Sequence, residues 1–238
     1  VLRRSLVTLS TRIDRVLDVP VPILFKDKLV YPERGYDERF GTWLSPSAPE
    51  ISMMSLAEAL DFLLTELFAG PEDGGAWWHD EQARTHAIAR FITPMCRGLM
   101  NWRRSPLFAF DGNREGSGKD TTADVTHVVY TGRSVLCAPL SKDSDDEMRK
   151  RITSALMAGC RFFHLANMKG HIRYPSLEAA TDDSTVWEDR RLGASETLRL
   201  PNEMEFSFSA NNATWEPDIE RRCRRIRLLF RPESVNDH

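Results

Sequence analysis

The stretch from Leu107 to Thr122, LFAFDGNREGSGKDTT, constrains the fold of this chain more than any other. An apolar, strand-like run comes first, a glycine-rich loop ending in Gly118-Lys119 follows, and then comes a segment that can start a helix. Backbone N–H groups of such a loop, the positive helix end and the lysine ammonium together attract oxyanions. The stretch therefore predicts a phosphate-binding loop; the alternative is a surface turn that is merely rich in glycine.

The loop departs from the pattern G-x-x-x-x-G-K-[ST] at two positions. Asn113 stands where the first glycine belongs, although Gly112 is adjacent, and Asp120 replaces the Ser or Thr whose hydroxyl would reach Mg²⁺. The strand–loop–helix context still favours nucleotide binding over a plain turn. The predicted nucleotide contacts are Gly112, Asn113, Arg114, Glu115, Gly116, Ser117, Gly118, Lys119, Asp120 and Thr121.

Composition narrows the class of protein. The chain has 238 residues, of which 41% are apolar and 28% charged, as in globular proteins with a sizeable core. No apolar run approaches the ~18 residues of a membrane span, so we expect no membrane partner. The chain begins at Val1 without a signal-peptide pattern and can be a fragment of a longer protein.

Cysteines and charges say less about function. The cysteines are scattered singly without a C-x-x-C pair, which argues against a zinc site or a disulfide framework and favours the cytoplasm: Cys96, Cys137, Cys160 and Cys223. The net charge of −3 hides an acidic cluster at 143–147 and a run of arginines. Those arginines are Arg221, Arg222, Arg224, Arg225, Arg227 and Arg231. Net charge therefore neither supports nor excludes a nucleic-acid partner.

The first 50 residues are predicted to form an extended arm with little core of its own. Prolines at 20 and 22 favour extended backbone, because a residue before proline is pushed out of the α region. Ile23–Phe25 and Leu29–Tyr31 are predicted as short strands, and Gly35–Asp37 as a turn.

Residues 51–104 are predicted to form a helical lid or bundle. Ser55 and Glu58 make a capping box that starts a first helix, and a second helix is predicted from Glu81 to Trp102 with a kink at Pro94. Apolar residues recur at helical spacing in the first helix, and we expect this stripe to pack as core: Leu56, Leu60, Leu63, Leu64, Leu67 and Phe68.

Residues 105–238 alternate between strand-like and helix-like segments. The predicted strands are Leu107–Phe110, Val135–Ala138, Arg161–Ala166, Glu205–Ala210 and Ile226–Phe230. The predicted helices are Thr121–Tyr130, Asp145–Met157, Ser176–Trp187 and a short turn at Pro217–Cys223, and Leu192–Asn202 is predicted as a hairpin. This alternation predicts an α/β fold with a mainly parallel five-stranded sheet covered by helices on both faces.

A P-loop ATPase also needs an acid at the end of a neighbouring strand, to hold Mg²⁺ and orient the attacking water. The third predicted strand is its natural source, but Asn167 occupies the expected position. An amide can position a water molecule but is no base, so either catalysis is slow or an acid comes from elsewhere. The nearest candidates are Glu178, Asp182 and Asp183.

Two later features complete the candidate site. Asn211, at the end of the fourth predicted strand, could contact a γ-phosphate or its water, although Asn-Asn is also a common turn. Arg221 or Arg222 could reach the ATP of a neighbouring subunit as an arginine finger. The alternative for both arginines is a solvated basic helix face.

The order and spacing of these features resemble the AAA+ ATPase core of the superfamily III and MCM-like helicases of phages and mobile elements. The resemblance covers about Leu107 to Phe230. It rests on the stretches NREGSGKD, FFHLANMKG, WEDRRLG, PNEMEFSFSANN and DIERRCRRIRLLF.

The resemblance implies a ring, expected to be a hexamer, in the cytoplasm of a bacterial host, with ATP at subunit interfaces and DNA threaded through the centre. It implies that Lys119 binds the β- and γ-phosphates and that Asp120 or Thr121 holds Mg²⁺. Asn211 is then the sensor, and Arg221 or Arg222 the finger. The departures at Asn113, Asp120 and Asn167 affect the expected hydrolysis rate more than nucleotide binding.

Contacts with DNA are predicted from basic residues near the loops, since helicases of this kind follow the phosphate backbone of one strand. The candidates are Lys169, His171, Arg173, Arg190 and Arg191, each of which could instead be a solvated surface charge.

Two other functions remain open from the sequence. The stretch from Gly116 to Asp124 also resembles the GKDT-type loop of phage deoxynucleoside monophosphate kinases, although such kinases carry the loop near the N-terminus. A nucleotide-dependent assembly module with vestigial hydrolysis is the third possibility, and Asn167 is the residue that favours it.

Overall fold

The computed structural model describes residues 13, 15–96, 106–134, 144–182, 186–190 and 197–230. The chain divides into two compact units, residues 1–53 and 54–238. The helical stretch after residue 53 and the predicted ATPase core therefore fall within the same unit. In the described part of the chain, no helix has the length and apolar character to cross a membrane.

The described residues of the first unit, 13 and 15–53, form five short strands. β1 (Arg15–Leu17) pairs in parallel with β5 (Thr42–Leu44), which pairs antiparallel with β4 (Gly35–Asp37). β2 (Ile23–Phe25) and β3 (Lys28–Val30) form a hairpin. The turn predicted at Gly35–Asp37 is wrong, because these residues pair with β5 as a strand. A small cluster lies in this unit: Leu17, Val21, Leu44 and Ala48.

The second unit begins with the predicted capping box. Ser55 Oγ accepts a hydrogen bond from Glu58 N at 3.2 Å, and Glu58 Oε2 accepts one from Ser55 N at 2.9 Å. Helix α1 (Leu56–Phe62) continues as a π-helical turn over Leu63–Leu67. After a 3₁₀ turn at Pro71–Asp73, helix α2 runs over Glu81–Cys96 with Pro94 inside it, and its predicted continuation to Trp102 lies outside the described residues.

The predicted packing of the α1 stripe is wrong for its first half. Leu56 is 77% exposed and Leu60 48% exposed, and α1 buries no residue. The π-helical turn adds residues to the helical repeat and so rotates the following side chains around the axis. Only beyond this point does the stripe meet the core, through the partly buried Leu63 and Leu67 and the buried Phe68.

A four-stranded parallel sheet forms the centre of the second unit. Its strands are β6 (Leu107–Gly112), β7 (Phe162–Met168), β11 (Glu205–Asn211) and β13 (Cys223–Leu228), in the order β13-β6-β11-β7. The predicted α/β class and these four strands are confirmed. The predicted strand Val135–Ala138 lies outside the described residues.

Helices cover both faces of this sheet, as predicted. Helix α3 (Lys119–Thr131) packs with α2 on the face of Phe108 and Phe110, in a cluster that includes Ala87, Ala123 and Ile226. Alternate strand residues point to opposite sides of the sheet, so a second set of apolar side chains faces away from α3. Helices α4 (Asp145–Met157) and α5 (Pro175–Ala180) pack on that opposite face. That face includes Leu107, Ala109, Met148, Ile152 and Leu177.

The helix predicted at Ser176–Trp187 is wrong beyond Ala180. β9 (Val186–Arg190) pairs antiparallel with β10 (Thr197–Pro201), so the hairpin predicted at Leu192–Asn202 draws its first strand from before that range. Trp187 and Asp189 are buried at strand spacing, and both reach Thr153 of α4. Short elements complete the unit: β8 (His171–Ile172), β12 (Thr214–Trp215) and α6 (Pro217–Arg222).

Candidate phosphate-binding site

The predicted loop lies at the C-terminal end of β6 and runs directly into α3. Gly118 is the N-cap of α3 with φ +79°, a conformation that a residue with a side chain rarely adopts. Lys119 is the first helical residue, so the free N–H groups of the helix start point toward the loop. This is the geometry that attracts phosphate oxygens.

Gly112 takes the part of the first glycine of the pattern. A Cβ atom there would overlap Ser117 Oγ and lie 3.0 Å from Asn211 Oδ1 and 3.1 Å from the Arg114 carbonyl oxygen. The loop can fold back over the end of β6 only because Gly112 has no side chain. The glycine requirement has moved by one residue from the position that the pattern names.

We expect Gly112→Ala to lower the free energy of unfolding by about 1–3 kcal/mol, because the added methyl group forces the packed loop apart. It should also weaken binding of MgATP. Urea unfolding and calorimetric titration measure the two effects. Gly132→Ala is the matched control: Gly132 has φ +69° but open space around it, so its variant should keep ATP affinity. Equal ATP affinity for Gly112→Ala and wild type would contradict this account of the loop.

Asn113 has a structural reason to replace glycine. Its Oδ1 accepts a hydrogen bond from Phe230 N at 2.7 Å, and its Nδ2 lies 3.5 Å from Phe230 O. Its own N–H donates to Leu228 O at 3.3 Å. Asn113 thus ties the loop to the chain that leaves β13.

Asn211 and Asn212 bring the end of β11 to the loop. Asn211 lies in register with Gly112, and Asn212 Nδ2 donates to Asn113 O at 2.7 Å. Asn212 N also donates to Gly112 O at 3.0 Å. Of the two predicted polar residues at this strand end, Asn212 fastens the loop and Asn211 faces its interior.

Several polar atoms around the loop have no hydrogen-bond partner among the described residues: Ser117 Oγ, Asp120 Oδ1 and Asn211 Oδ1. Lys119 is only 4% exposed, and its Nζ lies 3.2 Å from Asp120 Oδ2. Buried polar atoms normally have partners, so these atoms suit a polar ligand that binds to the loop.

The same atoms suit Mg²⁺, which prefers oxygen ligands. Asp120 fits this ion better than Thr121, because Asp120 Oδ1 is buried and unpartnered whereas Thr121 is exposed. In the described part of the chain, no group of three or more His, Cys, Asp or Glu side chains is placed to hold a metal ion. Among the loop residues, Asp120 would hold Mg²⁺ through its Oδ1 atom.

Asn167 is placed at the end of β7, but its side chain is exposed. Its φ of +55° coincides with a register shift between β11 and β7, and its N–H donates to Ser209 Oγ at 3.0 Å. The irregularity turns the side chain away from the strand interior. The position expected to hold an acid therefore presents an amide to solvent.

The alternative acids lie in other surroundings. Asp182 forms an ion pair with Arg222 at 3.3 Å. Burial raises the pKa of Glu178, and Asp218 adds to that shift. Asp183 lies outside the described residues.

The two candidate arginine fingers differ in how exposed they are and in the ion pairs that they form. Among the residues that the structure describes, Arg221 is 68% exposed and pairs with its helix neighbour Asp218 at 3.2 Å, whereas Arg222 is 12% exposed and pairs with Asp182. Exposed pairs of this kind contribute little energy, so Arg221 is free to exchange its partner. Arg221 is therefore the better candidate to reach a second subunit.

Two of the candidate DNA contacts lie beside the same carboxylate. His171 Nε2 and Arg173 Nε lie 3.3 and 3.5 Å from Glu216 Oε1, which follows β12 directly in the chain. Lys169 and Arg190 are exposed, and Arg191 lies outside the described residues. The carboxylate of Glu216 offsets part of the positive charge that a phosphate backbone would meet.

Two arginines of β13 lie beside a buried carboxylate. Arg225 Nη2 lies 3.1 Å from the buried Asp111 Oδ2, and its guanidinium stacks at 4.4 Å on Trp215. Arg227 lies 3.8 Å from the same carboxylate. Burial raises the pKa of Asp111, and the two arginines act in the opposite direction.

A buried ionic network that joins α2, α3 and β11 was not predicted from the sequence. Arg90 of α2 is 1% exposed, and its Nε lies 2.7 Å from Glu205 Oε1 on β11. Arg90 also donates to Ala123 O of α3 at 2.7 Å and to Ser207 Oγ of β11 at 3.3 Å. It thus joins the helix that begins with Lys119 to the strand that ends with Asn211. The polar residues at alternate positions of the buried strand EFSFSA were the available signal.

Two histidines complete this network. His127 Nε2 lies 3.1 Å from Arg90 Nη2, and His164 Nδ1 lies 2.9 Å from Ser207 Oγ. Burial lowers the pKa of His127 to about 4, and the positive charge of Arg90 adds to the shift, against the opposite effect of Asp124. Burial and Arg90 also lower the pKa of His164.

The network predicts a loss of stability in mild acid. Between about pH 6.5 and 4 the unfolded state protonates His127 and the folded state does not, so stability falls as pH falls through this window. We expect His127 alone to account for about 2 kcal/mol between about pH 7 and 5. Urea unfolding across this range measures the slope. His127→Gln should flatten it, and His79→Gln is the control, since the His79 side chain is 44% exposed. An unchanged slope in His127→Gln would contradict the assignment.

The scan against protein-family models finds no matching family, and the search of curated proteins finds no match.

Proposed function

We propose that this chain carries the motor core of an ATP-dependent DNA helicase of AAA+ type, from a phage or mobile-element replication protein in the cytoplasm of its host. The observation that carries the proposal is the position of β11. It lies between the loop strand β6 and the strand β7, and its last residue, Asn211, lies beside Gly112. An AAA+ core likewise has one strand between the loop strand and the strand expected to carry the acid.

In this proposal the loop residues hold the phosphates of ATP. The N–H groups at the start of α3 bind the β-phosphate, and Lys119 bridges the β- and γ-phosphates, leaving Asp120 to contact the metal. Bound Mg²⁺ would link phosphate oxygens and neutralise the charge that develops on them. Asn211 Oδ1, which is buried near Gly112 without a partner among the described residues, would contact the γ-phosphate or its water.

Hydrolysis in this proposal is slow within one subunit. Asn167 supplies no base, and its exposed side chain leaves the β7 end without a carboxylate. Arg221, exposed at the end of α6, would enter the site of a neighbouring subunit and stabilise the charge of the transition state. Assembly of the subunits would then determine the rate of ATP hydrolysis. The exposed Lys169 and Arg190 would contact the DNA backbone.

Native mass spectrometry tests the ring. We expect the chain to assemble with MgATP and single-stranded DNA, into a species expected to be a hexamer. Arg221→Ala should leave ATP binding intact and lower hydrolysis only in the assembled state. A chain that stays monomeric under all conditions contradicts the placement of ATP between subunits.

A nucleotide-dependent assembly module is the second candidate, and the exposed Asn167 favours it. This function predicts that ATP drives assembly while wild type and Lys119→Ala hydrolyse equally little. The strand order argues against the deoxynucleoside monophosphate kinase, since such kinases place the loop strand directly beside the strand with the acid. Phosphoryl transfer from ATP to a deoxynucleoside monophosphate would overturn the helicase proposal.

A further inference from the structure

An aromatic ring lies directly beside the phosphate loop. The chain that leaves β13 passes the loop at Phe230, and a Cβ atom on Gly116 would lie 3.3 Å from the Cε2 atom of this ring. The guanidinium of Arg114, also in the loop, lies over the ring with Cζ 4.2 Å from its centroid. An aromatic surface and a phosphate-binding loop are thus in contact.

The backbone that carries this ring is fixed from two sides. Asn113 holds Phe230 N through its Oδ1 at 2.7 Å, and Leu229 N donates to Trp77 O at 2.7 Å. Trp78 forms an antiparallel bridge with Leu228. The ring therefore sits on a preorganised segment, which lowers the entropy cost of binding against it.

Arg114 covers the ring without being committed elsewhere. Its side chain is exposed, and among the described residues its guanidinium forms no ion pair. An exposed cation–π contact is worth only about 0.5–1 kcal/mol. A flat ligand could take its place over the ring while the guanidinium moves into solvent or toward a phosphate.

We propose that Phe230 is the platform on which the purine base of the bound nucleotide stacks, in the place that Arg114 occupies over the ring. This inference rests on the proposed ATP site, whose phosphates lie at Gly116–Lys119. It also gives Asn113 a function: the residue that departs from the glycine pattern holds the platform beside the loop.

In this proposal Phe230 discriminates between nucleotide bases by the area of the base that stacks on its ring, and not by hydrogen bonds to the edge of the base. The Asn113 amide already pairs with the backbone of Phe230, so it is not available to read the base. Stacking alone tolerates different bases, because every base has a π face. We therefore expect ATP and GTP to bind with similar affinity, and UTP and CTP more weakly.

The test compares MgATP with inorganic tripolyphosphate, which has the phosphates but no base. Calorimetric titration of the full chain should give a dissociation constant for MgATP about tenfold higher in Phe230→Leu than in wild type, as stacking energies imply. The dissociation constant for tripolyphosphate should stay unchanged. Phe40→Leu is the matched control, since Arg39 stacks on Phe40 at 5.0 Å within residues 1–53, and it should alter neither.

A second variant tests the contact without removing the ring. In Phe230→Trp, MgATP should quench the fluorescence of the new indole and tripolyphosphate should not. The inference is overturned if Phe230→Leu weakens both ligands equally or neither, or if both quench the indole alike. Failure of wild type to bind either ligand would instead overturn the proposed nucleotide site itself, so the two failures are distinguishable.

Discussion

Arg90→Met is expected to lower the free energy of unfolding by about 3–5 kcal/mol, because it removes the guanidinium whose Nε lies 2.7 Å from the buried Glu205 carboxylate. The variant also removes the hydrogen bond from Arg90 to Ala123 O. Methionine keeps much of the side-chain volume, so the loss reflects the charge rather than a cavity. Urea unfolding monitored by circular dichroism measures it.

Two further variants isolate the cause. Arg199→Met removes an exposed arginine that pairs with Glu188, at 75% and 52% exposure, and should cost at most about 1 kcal/mol. Adding Glu205→Leu to Arg90→Met also removes the buried carboxylate that has lost this guanidinium and should restore much of the stability. If Arg90→Met unfolds at the same urea concentration as Arg199→Met, the ion pair is not a major stabilising contact.

Lys119→Ala is expected to raise the dissociation constant of MgATP by about 10- to 100-fold. A hydrogen bond between a charged group and phosphate contributes about 1.5–3 kcal/mol, and the lysine supplies such bonds only when phosphate is present. Without a ligand, Nζ lies 3.2 Å from Asp120 Oδ2. Calorimetric titration measures the change.

Lys150→Ala is the matched control for this effect. Lys150 pairs with Asp146 on the surface of α4, at 39% and 57% exposure, and its removal takes away the same charge far from the β6–α3 loop in sequence. Its MgATP affinity should equal that of wild type. A similar loss in both variants would mean that net charge, rather than the loop, governs binding.

Most of the central sheet could be predicted because its strands leave local signals. Leu107–Phe110 and Glu205–Ala210 are short runs flanked by turn residues, and apart from Glu205 they consist of apolar or small residues, as strands buried on both faces do. The order β13-β6-β11-β7 could not be predicted in this way, because neighbouring strands are far apart in the chain.

The errors have identifiable physical causes. Ser176–Trp187 contains enough helix formers to suggest one helix. In the structure, Trp187 and Asp189 are two positions apart on a strand, and both side chains are buried and hydrogen-bonded to Thr153. The contact that decides this lies on α4, more than 30 positions away. Tertiary packing therefore overrode the local preference.

Part of the candidate site could likewise be predicted from the sequence, and part could not. Its loop is continuous in sequence, so Gly112 to Thr121 could be recognised directly. Asn113, by contrast, looked like a defect because its partner Phe230 is 117 positions away. The bulge that turns Asn167 outward depends on Ser209 of another strand, which no local pattern reveals.

ATP hydrolysis with and without single-stranded DNA tests the central claim most directly. The account predicts that wild type releases phosphate slowly alone and faster with DNA, and that Lys119→Ala stays at background in both conditions. Equal phosphate release by wild type and Lys119→Ala, unchanged by DNA, would contradict the proposal that this loop drives a DNA motor.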